Sequence, residues 1–144
     1  MKIRELQEYL RDRLNAVEAL VQGGCKAFSE DTRTVYDESA QFIREGGVAV
    51  VVVTPRFSRN GCCAGGIPCE SRLLVRCVEL PPLAASGSNV IRALDAAEIV
   101  AHELDSDAIQ LQEIEQTSSQ DRSGNTVVTA TATFVITIKL TKES

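Results

Sequence analysis

Ile3, Leu6, Leu10, Leu14, Val17 and Leu20 recur at steps of three and four over residues 2–20. That spacing stacks side chains on one helical face. Arg4, Glu5, Glu8, Arg11, Asp12 and Arg13 fall mostly on the other face, and Gly23-Gly24 predicts the stop. Short strands are predicted around Cys25–Phe28 and Thr32–Tyr36, and a short helix over 37–45 with Asp37 as its cap. Val48–Thr54 (VAVVVVT) is a continuous β-branched run without polar alternation until Thr54. It reads as a central strand covered on both faces, with its pairing ended by Pro55. Residues 57–70 read as a loop bearing Gly and Cys, and 71–80 as the next strand, with Leu73, Val75 and Cys77 on one face. An antiparallel hairpin is the simplest connection between these two strands.

Pro81-Pro82 through Ser88 is a linker that cannot enter a sheet interior. Asn89 is the expected cap of a helix over 90–104, with Val90, Leu94, Ala97, Ala101 and Leu104 as its stripe. Ile109–Glu115 reads as a strand and 118–125 as a turn with Gly124-Asn125 at its tip. From Val128 to Leu140 every even residue is apolar, while Thr129, Thr131, Thr133 and Thr137 mark the other face. A strand of that length either overhangs its neighbours, presenting unpaired amides to another chain, or forms a long hairpin with 109–117 that pairs them internally. The element order predicts an α+β fold: a single antiparallel or mixed β-sheet with two main helices packed on one face.

At 144 residues, 44% apolar and 24% charged, the chain is sized and composed as one folded domain, 1–144. No apolar run reaches the ~20 residues of a membrane span, and the charged N-terminal stretch lacks the apolar core of a secretory signal. The net charge of −5 argues against a generic or sequence-specific nucleic-acid binder. Charge is uneven: residues 1–80 carry 11 basic and 11 acidic side chains, residues 81–144 only 4 and 9. The excess clusters at Glu98, Glu103, Asp105, Asp107, Glu113 and Glu115. It reads either as a solvated helix end and strand edge or as a surface that repels a polyanion.

Cys62, Cys63 and Cys69 share one loop and Cys77 follows, but adjacent Cys62-Cys63 and a five-residue gap depart from the paired ligand spacing of zinc sites. Metal binding through Cys62, Cys63, Cys69 and Cys77 is the weaker reading. The simpler one makes Cys25 and Cys77 small core hydrophobes. His102, the single histidine, sits beside the stripe residue Ala101 and reads as structurally neutral. CCAGGIP lacks the G-K-[ST] ending of a phosphate loop, and a strand follows it. No catalytic constellation emerges.

The N-terminal helix, the buried strand VAVVVVTPRF, the segment VRCVELPP leading into NVIRALDAAEIVAHEL, and the long strand TVVTATATFVITIKL together resemble a phage tail terminator of the lambda U-like class. The resemblance covers nearly the whole chain. It implies a structural protein, without enzymatic activity or cofactor, that forms a hexameric ring on a finished tail tube. Such a ring stops tube growth and offers a docking face to the head connector. Its partners would be copies of itself, the tail tube protein and a head-completion protein, in the virion tail and in the host cytoplasm during assembly. Within that picture some of the six clustered carboxylates would face the lumen, where like charge keeps passing DNA from sticking. A cytosolic Cys-dependent metal or redox domain, or another phage neck or connector protein, is the alternative.

Overall fold

The computed structural model describes residues 3–30, 34–59, 67–81 and 91–140. Its elements are α1 (Ile3–Asn15), α2 (Glu18–Gln22), β1 (Cys25–Ser29), α3 (Val35–Arg44), β2 (Val48–Val52), β3 (Arg56–Arg59), β4 (Ile67–Glu79), α4 (Ala93–Leu104), β5 (Ile109–Gln120) and β6 (Thr126–Leu140). The strands form one mixed sheet of order β1-β2-β4-β6-β5. β2 pairs with Val75–Val78 of β4, and β3 pairs with Cys69–Arg72. β6 runs along β4 from Ile67 to Glu79, so β2 and β3 occupy the same flank of β4 in succession. Six strands thus fill five positions, in an α+β fold with helices packed against the sheet. Only β1 and β2 are parallel, joined by α3.

One face of the sheet carries the main core. Leu6, Leu10 and Leu14 of α1 and Ala93, Ala96, Ala97, Val100 and Leu104 of α4 pack on Val50, Leu73, Val75, Ala132 and Phe134. Alanines on α4 and β6 let helix and sheet approach closely. The opposite face is covered only at one end, where Val35, Phe42 and Ile43 of α3 pack on Phe28, Ala49 and Val51. β2 is therefore buried on both faces, as its unbroken Val run requires. Gln7, also buried, donates through Nε2 to the Val52 carbonyl (3.4 Å) and to Thr54 Oγ1 (3.2 Å), fixing α1 over the end of β2. Arg13 joins the two main helices: Nε donates to Glu103 Oε1 (3.3 Å) and Nη2 to the Glu103 carbonyl (2.7 Å).

Several boundaries differ from the sequence expectation. The first helix is divided into α1 and α2 by a tight turn, in which Val17 N–H donates to the Leu14 carbonyl at 3.1 Å. Val35 and Tyr36 begin α3 rather than ending a strand. Thr34 takes the cap position expected of Asp37, which lies in the first helical turn. Within the loop expected over 57–70, residues 57–59 and 67–70 are strand, where β3 pairs with β4, and residues 60–66 lie outside the described residues. α4 starts at Ala93 behind Arg92, and Leu94 is 38% exposed, off the buried stripe. The expected cap Asn89 lies outside the described residues. The polar run after Glu115 continues β5 to Gln120, which shortens the turn to 121–125.

The long C-terminal strand pairs internally on both flanks: β4 lines Val128–Leu140 and β5 lines Thr126–Ile136. The hairpin reading holds, and β6 does not overhang as a free strand.

Candidate functional site

Because α3 covers only β1 and β2, the sheet face formed by β4, β6 and β5 is bare of helix among the described residues. Register places its side chains in rows. Arg76, Thr131 and Glu115 form one row, and Leu74, Thr133 and Glu113 the next. Val78, Thr129 and Thr117 lie on one side of these rows, and Arg72, Val135 and Gln110 on the other. The face therefore carries an arginine column on β4, a threonine-rich column on β6 and a carboxylate column on β5. Arg56 of β3 sits opposite Arg72, so two like charges are cross-strand neighbours. Leu73, Val75 and Cys77 of β4 and Ala130, Ala132, Phe134 and Ile136 of β6 point the other way, into the core.

At the border of α3 and this face lies a groove of about 300 Å³, whose lining includes Val35, Tyr36, Ile43, Val51, Arg76 and, as its one carboxylate, Glu30. Its apolar walls come from α3 and β2, and Arg76 brings a cation to its rim. Tyr36 is 74% exposed.

The two margins of the sheet differ. At β1, Asn15 Nδ2 donates to the Ala27 carbonyl (3.1 Å), and its Oδ1 accepts the Ala27 N–H (2.8 Å). One side-chain amide thus stands where a neighbouring strand would. At β5, the first residues are closed by the 105–108 turn. Asp105 Oδ1 accepts the Leu111 N–H (2.9 Å), and Ser106 Oγ accepts the Ile109 N–H (3.2 Å). A bulge between Leu111 and Glu113 follows. From Glu113 to Gln120 every residue but Ile114 is exposed, and the outer backbone edge has no partner among the described residues.

The six clustered carboxylates are not brought together. Glu113 and Glu115 lie on the bare face. Glu98 lies on the helix side, where it borders a shallow cleft with His102 and Asp105. Glu103 is engaged by Arg13 and Asp105 by the β5 backbone, while Asp107 is exposed. Thr129, Thr131 and Thr133 are half-buried on the bare face. Thr137 lies in β6 opposite Glu70, with its side chain outside those described.

Cys62 and Cys63, and the side chain of Cys69, also lie outside the described residues. Cys77 is fully buried among Val50, Val75 and Ala130, and burial, helped by nearby Cys25, raises its thiol far above the ordinary range. Burial pushes Cys25 up to about 12, with the Glu79 charge adding to the effect. Both are protonated space-fillers at neutral pH, which disfavours Cys77 as a metal ligand. Among the described residues no group of three or more Cys, His, Asp or Glu is placed to hold an ion. No helix among them is long and apolar enough to cross a membrane.

The sequence reading missed Arg56, Arg72, Arg76 and Asn15. The arginines of β4 were discoverable: they alternate with Leu73, Val75 and Cys77, so period two alone puts them on the opposite face. Asn15 had no such signal, because its role depends on where α1 ends relative to β1. No protein-family model matches the chain, and no curated protein does.

Proposed function

We propose that this chain is a ring-forming tail-completion protein of the tail-terminator class, a structural subunit that acts by fitting against copies of itself and a tail tube rather than by catalysis. The observation that carries the reading is the β5 margin: an unpaired strand edge from Glu113 to Gln120 beside a bare polar sheet face. An edge of that kind is a template for strand addition by a neighbouring subunit. The sealed β1 margin supports a ring built from unlike surfaces, in which β5 of one subunit meets something other than β1 of the next. Glu113 and Glu115, exposed, unpaired among the described residues and set on the bare face beside this edge, can line a lumen with negative charge. In this reading the subunit works in the virion tail after assembly in the host cytoplasm, between tail tube and head-completion protein, and needs no cofactor.

The test is negative-stain imaging of the chain incubated with polymerising tail-tube protein encoded beside it. Tubes of arrested length with a ring at one end are expected. Tubes that grow unchecked, with no terminal density, overturn the reading.

A further inference from the structure

The bare face is self-complementary. Its arginine column and its carboxylate column flank the threonine column of β6 at equal distance, one strand to either side, and Arg76 and Glu115 share a row. Consider a second copy turned by a two-fold axis parallel to β6 and laid face to face. The axis keeps each row at its own height and exchanges left for right. The arginine column of each copy then lies over the carboxylate column of the other, with Arg76 above Glu115 twice, once in each direction. A copy turned about any axis perpendicular to the strands inverts the order of rows and loses that match.

Shape agrees with charge. Stacked sheets pack about 10 Å apart, roughly the height at which a helix rides over a sheet. α3 rises beside β4 on the bare side, and among the described residues no element rises beside β5. In the two-fold arrangement each α3 drops into the step next to the partner's β5. That β5 then enters the groove between α3 and β4, where Arg76 already stands on the rim. Arg72 shares its row with Gln110 of the second copy and lies one row from its Glu113, whereas Arg56, one strand further out, falls beyond that copy's β5.

The geometry points to a reversible two-fold dimer in which β5 of each copy occupies the α3–β4 groove of the other, held by reciprocal Arg76–Glu115 pairs. This pairing does not rest on the ring reading. If both hold, the dimer is a form of the subunit kept off the ring, since it covers the same β5 margin. The patch of three strands by four rows is small for a permanent complex, so the dimer is expected at high protein concentration and at low salt.

Sedimentation velocity over a concentration series tests it on the intact chain. A monomer–dimer equilibrium weakened by salt is expected. Arg76→Glu and Glu115→Arg should each weaken dimerisation about tenfold or more, because each change strikes two symmetric contacts. The double variant R76E/E115R should restore it, and Glu115→Gln should weaken it less than the reversal. Circular dichroism and melting midpoints near those of the parent show that the variants fold, since both side chains are exposed. A chain monomeric at every concentration, a dimer indifferent to both reversals, or a double variant that fails to recover overturns the proposal. Hexamers unaffected by these charges would also overturn it while leaving the ring reading intact.

Discussion

Asn15 closes the outer edge of β1 by making two hydrogen bonds to the backbone of a single residue, Ala27. In the parallel pair with β2, Gly24 and Glu30 turn their backbone groups inward, to Val48 N–H and the Val52 carbonyl. Ala27, three positions from each, therefore faces outward at the middle of the strand. An amide is the side chain for this place, since it offers a donor and an acceptor in the same plane as a peptide. Asn15→Ala removes both bonds and should cost about 1–3 kcal/mol in urea unfolding. It should also raise light scattering on storage, because a second sheet margin becomes available. Asn15→Asp, which keeps the acceptor and loses the donor, should fall between.

Glu79 is a buried carboxylate whose partners lie at the start of α4. Its Oε1 accepts from Arg92 Nε (2.8 Å), and its Oε2 accepts the Ala93 N–H (3.2 Å). The pair is one-sided, with Glu79 buried and Arg92 62% exposed. The helix N–H matters as much as the ion pair, because it satisfies an orphan donor of the first turn. Glu79→Ala should destabilise by about 2–4 kcal/mol and Arg92→Ala by less. Hydrogen exchange should show the first turn of α4 losing protection first in both.

The buried thiols give alkaline sensitivity a definite sign. Cys25 ionises only near 12 in the fold, with burial the main cause, against about 8.5 in the unfolded chain. Between those values the unfolded chain loses protons that the folded chain keeps. Stability is therefore fully present below about pH 8.5 and declines as pH rises toward 12. Replacing Cys25 and Cys77 by Ala should flatten that decline in urea titrations. In a chain with Cys62, Cys63 and Cys69 changed to Ser, a thiol reagent at pH 8 should find the two remaining thiols only after unfolding.

Ser71 sits in β4 at 2% exposure, and its hydroxyl has no hydrogen-bond partner among the described residues. A buried hydroxyl without a partner costs roughly 1–3 kcal/mol relative to its hydration. Ser71→Ala should leave the melting midpoint unchanged or raise it by a few degrees, the reverse of the usual core truncation. A fall of several degrees would mean that the hydroxyl is bonded in solution.

Legibility tracked how local the governing physics is. Period two from Val128 to Leu140 located β6 because a strand between two neighbours and against one core must alternate. The Val run marked β2 because burial on both faces leaves no polar position. The polar stretch Gln116–Gln120 gave no strand signal: β5 is held there by β6 alone and neither of its faces is packed. Leu94 misled the helix stripe because α4 is seated through alanines, whose small size carries little hydrophobic signal. The site was half visible. The threonines and Glu113 and Glu115 were readable as lying off the core, but uniting them with Arg76 required the strand order, which pairs Arg76 with Thr131 and Thr131 in turn with Glu115.

The last strand in chain order among the described residues is an inner strand of the sheet. β6 lies between β4 and β5 and supplies Phe134 and Ile136 to the core. On the ribosome β1–β5 therefore lack the strand that joins β4 to β5 until residues 126–140 have left the exit tunnel, and a product ending at the 121–125 turn should go to proteolysis rather than fold as a smaller domain.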